Sequence, residues 1–265
     1  MTTRFKTYWK VWKRAGINAL QITFVNRGTN ALFVAGKSIR FFITLLFLFL
    51  IKENVQTFAG YTSDQLVVFF LVFNFIDSIS QALLRGVYSF GSQVRTGEFD
   101  FLLIKPLNPL FRILTDKPDI DDVIFLIPSS IISGYIISTL NIDISFQSIL
   151  LFIVLFFNAF MIAVALHILI VSITILTTQV DGLLWLYRDL TALGKFPINI
   201  YSNLLKFSLF FIIPIGFMIT VPAQVLMNTT PSVQIGWTLT VGVISLIISL
   251  NIWKKCLERY TSASS

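Results

Sequence analysis

Six apolar runs divide the chain, separated by polar, basic or proline-bearing pieces. They cover about Ala31–Ile51, Gln65–Leu84, Val123–Leu140, Ile149–Thr177, Leu204–Val221 and Val233–Trp253. A helix needs about 20 residues, at about 1.5 Å each, to cross about 30 Å of hydrocarbon. The runs therefore predict bilayer-spanning helices, because the strands of a membrane barrel are shorter and alternate in polarity. The fourth run is long enough to tilt or to project from the bilayer. The fifth is short, contains Pro214 and ends at Pro222, and the apolar Ala223–Met227 beyond it reads as a re-entrant stretch. Ahead of the first run, Phe5, Trp9, Trp12, Ala15 and Ala19 recur at helical spacing, with Lys6, Lys10, Lys13 and Arg14 on a neighbouring face. An amphipathic helix lying in the headgroup layer, with Trp9 and Trp12 as anchors, fits this pattern. An ordinary basic flank of a first span fits it equally. No internal repeat is evident. The expected fold is an all-α integral membrane protein. It has six transmembrane helices, an N-terminal amphipathic interfacial helix over 1–30, one membrane domain over 31–253 and a tail over 254–265.

Composition removes the competing classes. Hydrophobic residues make up 55% of the 265 positions, charged residues only 12%, and the mean hydropathy is +0.82. A soluble domain carries roughly 25% charged residues. The pieces between spans are too short to hold a soluble catalytic domain, so any ATP used must be hydrolysed by another polypeptide. One cysteine, Cys256, excludes an intrachain disulfide. Residues 1–30 show neither the early apolar core nor the small-residue cleavage site of a signal peptide.

The net charge of +7 indicates topology rather than nucleic acid, because basic residues collect on the cytoplasmic side. Alternating crossings place 1–30, 85–122, 178–203 and 254–265 together. These segments hold 16 lysines and arginines, whereas the opposite loops hold Lys52 alone. Both termini are therefore expected in the cytoplasm. Lys37 and Arg40 lie inside the first run, where they can snorkel to the headgroups.

The largest predicted cytoplasmic loop, 85–122, is the most informative. It contains Val94-Arg-Thr-Gly-Glu-Phe-Asp100 and then Phe101-Leu-Leu-Ile-Lys-Pro-Leu-Asn-Pro109. A short helix ending near Ile104 is expected, since Lys105 precedes Pro106 and is driven out of the helical region. Gly97 is a flexible or closely packed point, Glu98 and Asp100 offer acidic contacts, and Phe99, Leu102 and Leu103 read as apolar knobs. A stiff cytosolic prong of this kind is what a membrane protein needs to receive force from a soluble motor. A plain surface helix joining two spans is the simpler alternative.

This loop resembles the "Arg-x-Gly-Glu-x-Asp, Leu-Leu, basic, Pro-x-Asn-Pro" loop of type-two ATP-binding-cassette (ABC) export permeases. Phe196-Pro197, Ile200-Tyr201, Ile213-Pro214-Ile215-Gly-Phe217 and Val221-Pro222-Ala223 are similar to the fifth-span region of a six-span branch of that family. Trp253-Lys-Lys-Cys-Leu-Glu-Arg-Tyr260-Thr-Ser-Ala-Ser264 is similar to its basic tail. The resemblance implies a multi-pass subunit of a bacterial plasma (inner) membrane exporter, paired with a second permease subunit. Soluble ABC ATPase subunits would dock beneath the pair and bind ATP and Mg, leaving this chain with no catalytic residue and no cofactor of its own. It implies an ATPase-coupling helix at about Arg95–Lys105, with Arg95, Gly97, Glu98, Phe99, Asp100, Leu102, Leu103, Lys105 and Pro106 as contact residues. It also implies an elbow helix at the N-terminus and a re-entrant element after Pro222 capping the exit. No family role attaches to Lys37 or Arg40.

Other features carry less. Gly36-Lys37-Ser38 ends like a phosphate-binding loop, but Ala31 replaces the leading glycine and no strand precedes it. Asp116, Asp119, Asp121 and Asp122 read as helix-start acids, with Asp121 or Asp122 as the cap, ahead of a metal site. Asn228-Thr229-Thr230 matches a glycosylation acceptor but lies very close to the membrane. The Leu183, Leu186, Leu190 and Leu193 series reads as helix packing ahead of a gate helix. His167 is the sole histidine and cannot form a zinc site alone. Asp77, at mid-membrane, costs about 2.5–3.5 kcal/mol on insertion scales and marks a partner helix or wet cavity. With Asn74 and His167 it is the expected translocation-path set. An ATP-independent carrier or channel is the second functional reading, and a membrane-embedded enzyme the third.

Overall fold

The computed structural model describes residues 2–54, 57–58, 60–177, 181–230 and 232–261, with only the backbone described at 2–4 and 181. Helix α1 (Thr2–Val25) is followed after one residue by α2 (Arg27–Asn54). A hairpin of β1 (Thr57–Phe58) and β2 (Tyr61–Thr62) leads into α3 (Ser63–Leu84). Thr62 caps α3 reciprocally with Gln65. Three short helices follow, α4 (Val87–Arg95), α5 (Glu98–Leu103) and α6 (Pro109–Thr115). Then come α7 (Ile120–Thr139) and α8 (Phe146–Thr177). The chain continues through α9 (Asp181–Ala192), single 3₁₀ turns at Leu193–Lys195 and Ile198–Ile200, and α10 (Asn203–Phe207). Wide π turns at Ser208–Ile212 and Gly216–Thr220 precede α11 (Val221–Leu226), and α12 (Ser232–Glu258) closes the bundle. The last four residues of the predicted tail, 262–265, lie outside the described residues.

Among the described residues, five helices are long and apolar enough to cross a membrane: α2, α3 with its continuation to Arg95, α7, α8 and α12. They match five of the six apolar runs. Helix α3 is the buried centre, with Val67, Val68, Phe69 and Ile76 inside the core. The 32 residues of α8 give a rod of about 48 Å, longer than the hydrocarbon it must cross. It pairs with α12 at a close approach. Asn158 Nδ2 donates to the Thr238 carbonyl at 2.9 Å, and a Cβ on Gly242 would sit 2.0 Å from Asn158 Oδ1. Small residues and one interhelical amide bond are a usual way to pack helices in lipid.

The two ends of the bundle differ. At one end Tyr8 of α1 meets Phe111 of α6 edge-on at 4.8 Å and its hydroxyl accepts from the Asn108 amide. There also Phe99 of α5 packs on Trp253, in the last turns of α12, and on Tyr260 just beyond them. This end carries most of the lysines and arginines and is called the basic end below. At the far end Lys52 pairs with Asp64 at 2.6 Å, Asp64 accepts from the Asn141 amide, and Asn228 donates to the Asp143 carbonyl.

The region 181–226 departs from expectation. Residues 178–203 read as a loop and Leu204–Val221 as the fifth span. The contacts reverse these roles. Tyr187 of α9 packs on His167, toward the basic end of α8, with ring centroids 4.6 Å apart. Ten residues on, Pro197 enters the second 3₁₀ turn, and Asn199 Nδ2 donates to the Tyr61 hydroxyl near the far end. The stretch 181–200 thus makes the sixth crossing as a short helix and two turns. The segment 203–226 starts and finishes at the far end: Lys206 lies with Val233 and Trp237, and Gln224 Nε2 donates to the same Tyr61 hydroxyl. Between these ends, Ile212 and Pro214 reach Leu166, Ile244 and Ile248 in mid-bundle. The two limbs turn by 80° at residues 213–215. Pro214 forces this break, because the residue before proline is excluded from the helical region, and Ile213 is extended at φ −123°. The re-entrant element is therefore longer than Ala223–Met227 and begins before Pro214.

Candidate functional site

Two places gather chemistry-bearing residues. The first is the prong at the basic end. Helix α4 stops at Arg95, and Gly97, in the left-handed region at φ 75°, turns the chain into α5. The expected single helix over Arg95–Lys105 is thus broken at Thr96–Gly97, and its helical part is Glu98–Leu103. Phe99 is fully buried, with its ring edge-on to Phe90 at 5.1 Å and to Tyr260 at 4.9 Å. It is an anchor and not the surface knob that the sequence suggested. Phe101 and Ile104 are the outward apolar residues, 63% and 80% exposed. Leu103, Lys105 and Pro106 are also exposed, and Leu102 is half-buried. Asn108 ends the prong by capping α6, its Oδ1 accepting from the Leu110 and Phe111 amides with Pro109 at the first helical position.

The prong is tied to the spans through Gly86 and Asp119. A Cβ on Gly86 would lie 2.2 Å from the Ile113 carbonyl oxygen and 2.6 Å from that of Asp116, so backbone passes against backbone there. Asp119, and not Asp121 or Asp122, is the α7 cap, accepting from both of their amides. It also pairs with Arg85 at 3.2 Å, and its own amide donates to the Ala82 carbonyl at 2.9 Å. Asp116 pairs with Arg112 at 3.1 Å and Asp122 with Lys37. Three of the four acids are thus engaged by cations, and no metal-holding group occurs among the described residues. Trp9 and Trp12 stack at 5.2 Å on α1 and line an apolar groove with Leu83, Phe111, Leu114 and Phe160.

The second place is a small polar cavity between the helices, of about 40 Å³. Helix α2 contributes Lys37, Arg40 and Thr44. Helix α3 contributes Asn74, Asp77, Ser78 and Gln81, and Arg85 follows it. Asp122 comes from α7, Arg188 from α9 and Lys195 from the first 3₁₀ turn. Five cations therefore face two carboxylates. Lys37 is held by Asp122, and Asp77 lines the same cavity as Arg188, Arg40 and Lys37. Charges of this kind inside a bundle are costly, about 2.5–3.5 kcal/mol each on insertion scales, and face cavities rather than lipid.

The family model described as "ABC-2 family transporter protein" matches residues 39–264. The chain belongs to the ABC-2 transporter family. No curated protein and no solved structure matches it. The matched stretch takes in the prong, the cavity walls from Ile39 onward and the re-entrant segment. Membership makes this ABC-2 protein a multi-pass membrane protein of the ABC permease type, from a family that works with ABC ATPase subunits.

For this ABC-2 protein, sequence reasoning found one half of the cavity and missed the other. Asp77 and Asn74 do line it. His167 does not: its Nδ1 lies 2.8 Å from the Ala163 carbonyl and its ring is closed off by Tyr187. Arg188 and Lys195 read as loop charges, yet they reach the interior because 181–200 crosses. The signal that pointed toward the cavity was the pair Lys37 and Arg40, two cations inside an apolar run with no role assigned. Gly36-Lys37-Ser38 lies within continuous α2, and its lysine serves the ion pair with Asp122.

Proposed function

We propose that this chain is the permease subunit of an ABC exporter, driven by separate ATPase subunits that dock on its basic end. The basic end faces the cytoplasm, in keeping with the one-sided distribution of lysine and arginine. Moving Arg188 and Lys195 into the interior leaves that bias strong. The chain pairs with a second permease subunit in the bacterial plasma membrane, and ATP and Mg are bound by the ATPase partner. The observation that carries the reading is the build of α5. Phe99 fixes the helix to the bundle by three aromatic contacts, while Phe101 and Ile104 point an apolar face away from it. A helix so anchored passes a push from a docked motor to α3 and α12 instead of absorbing it. Two global states of the bundle, each favoured by a different state of the motor, then open the path alternately to either side.

The test is affinity purification of the tagged chain from its own host membranes. A soluble ATPase with a phosphate-binding loop is expected in near-equal amount, and ATP hydrolysis in the complex is expected to rise when the permease is present. Transport by the reconstituted chain alone, with no nucleotide and no partner, would favour a carrier and overturn the proposal.

A further inference from the structure

Two openings on the flank of the bundle join into one trough beside the re-entrant segment. The far-end opening, of about 530 Å³, is lined by Asn199, Lys206, Phe217, Gln234 and Trp237. The other, of about 200 Å³, lies deeper, among Leu166, Leu169, Pro214 and Ser245. Phe210 and Phe211 line both. Gln234, Trp237, Val241, Ile244 and Ile248 of α12 are spaced by three and four residues, so one helical face runs the length of the trough. Ile248 lies 14 residues beyond Gln234, about 21 Å along the helix. One leaflet of hydrocarbon is about 15 Å deep, and its headgroup layer adds about 5–8 Å. The trough therefore has the depth of a single leaflet. It stops at mid-bundle because the segment 203–226 turns back at Pro214 and walls only the far half of α12.

The polar groups gather at the headgroup end. Lys206 is half-buried there, no carboxylate lines either opening, and its ammonium makes no ion pair within 4.0 Å among the described residues. Trp237, 59% exposed, stands at the depth where aromatic side chains meet headgroups. In the deeper opening every lining residue except Ser245 is apolar. An unmatched cation above an apolar channel one leaflet deep is complementary to an anionic lipid. A second copy of the chain set face to face on this trough would bring another Lys206 and no carboxylate, so like charge opposes that contact.

We infer that this trough is a binding site for an anionic phospholipid of the far-end leaflet, its phosphate on Lys206 and one acyl chain lying along α12 as far as Ile248. The Lys206 ammonium donates charge-assisted hydrogen bonds to the phosphate oxygens. A choline head would set a second cation against the lysine, so the site selects lipids of net negative charge. The acyl chain fills the space between α12 and Phe211, and so braces the re-entrant segment against the bundle. The inference goes beyond the permease reading, and rests on it only for calling this leaflet the outer one.

The test uses the full chain in phosphatidylcholine nanodiscs, without nucleotide or partner. The probe is phosphatidylglycerol with a photoreactive diazirine at the end of one acyl chain. Crosslinks are expected within 241–248 and 210–214, suppressed by excess phosphatidylglycerol and not by added phosphatidylcholine. Lys206→Gln is expected to lower this labelling about fivefold, the upper end for a partly exposed ion pair. Lys206→Arg is expected to label as the parent does, which separates loss of charge from misfolding. Lys52→Gln removes a positive charge from the same end outside the trough and is expected to change nothing, which separates the site from general attraction of anionic lipid. Val241→Trp fills the trough midway and is expected to abolish labelling at 244–248. Equal labelling by a diazirine phosphatidylcholine, or unchanged labelling in Lys206→Gln, would make the lipid ordinary solvent for the bundle and overturn the proposal. Absence of labelling at 241–248 would also overturn it, and a disulfide between two copies through Ile244→Cys, in a Cys256→Ser background, would then assign the face to a subunit contact. Because no ATPase is present, failure here leaves the permease proposal intact, and absence of an ATPase partner leaves the labelling result intact.

Discussion

Phe101→Asp combined with Ile104→Asp is expected to abolish stimulation of ATP hydrolysis in the purified complex and to release the ATPase subunits on washing. Both side chains stand clear of the bundle, so the permease is expected to fold and melt as the parent does. Buried aromatic and aliphatic anchors at an interface cost about 2 kcal/mol or more each when lost, roughly thirtyfold in affinity apiece. Aspartate adds desolvation of a charge to that loss. The contrast is Phe99→Ala. It removes the anchor and not the contact face, and an aromatic-to-alanine change in a core costs about 3–5 kcal/mol. That variant is expected to retain the ATPase but to couple poorly, with a lowered melting temperature. Size-exclusion chromatography of the complex together with a hydrolysis assay separates the two outcomes. If the double aspartate variant holds the ATPase and is stimulated normally, the prong is not the docking element.

Gly86→Ala is expected to destabilise the protein, although helix propensity alone predicts the opposite sign. Alanine in place of glycine within a helix gains about 1 kcal/mol. At Gly86 the new methyl would meet the Ile113 and Asp116 carbonyl oxygens at 2.2 and 2.6 Å. Those are backbone atoms and cannot rotate away. Relief requires the 113–116 backbone to move off α3, which strains the Arg85–Asp119 pair and the bond from the Asp119 amide to Ala82. Forced overpacking costs about 1–3 kcal/mol, occasionally more, and Gly86→Val belongs at the upper end. Gly36→Ala is the control, since a Cβ there meets nothing within 4 Å. Thermal melting in detergent is expected to fall for both Gly86 variants and not for Gly36→Ala. Proteolysis within 96–118 is expected to become faster in the Gly86 variants alone, because the prong is seated through that contact.

Most of the span pattern was readable from the sequence, for a physical reason. A long apolar run has one low-energy solution in lipid, the helix, because its backbone groups find no partners elsewhere. Runs one to four and run six therefore coincide with α2, α3, α7, α8 and α12. The fifth run failed because hydropathy weighs residues one by one. Leu204–Val221 is oily enough to span, but Pro214 breaks it in mid-bundle and both limbs return to the far end. The stretch 181–200 looks like a loop because it carries Arg188, Lys195 and Pro197. Its charges are tolerated inside the bundle because they face a polar cavity. That cavity was illegible for a related reason: its walls come from α2, α3, α7 and 181–200, and no sequence window contains them together. The prong was legible as a motif but not in its facing. Consecutive helical residues turn by about 100°, so Phe99 and Phe101 point apart, and only the packing of Trp253 and Tyr260 on Phe99 shows which one is inside.

The most direct measurement is thiol accessibility on the two sides of right-side-out membrane vesicles. In a Cys256→Ser background, Phe58→Cys reports the far-end hairpin and Ile104→Cys reports the prong. Labelling by a membrane-impermeant maleimide is expected at position 58 in sealed vesicles, and at position 104 only after the membrane is opened. Docked ATPase is then expected to protect position 104. Labelling of position 104 from outside sealed vesicles would put the prong on the wrong side for any cytosolic motor and contradict the account.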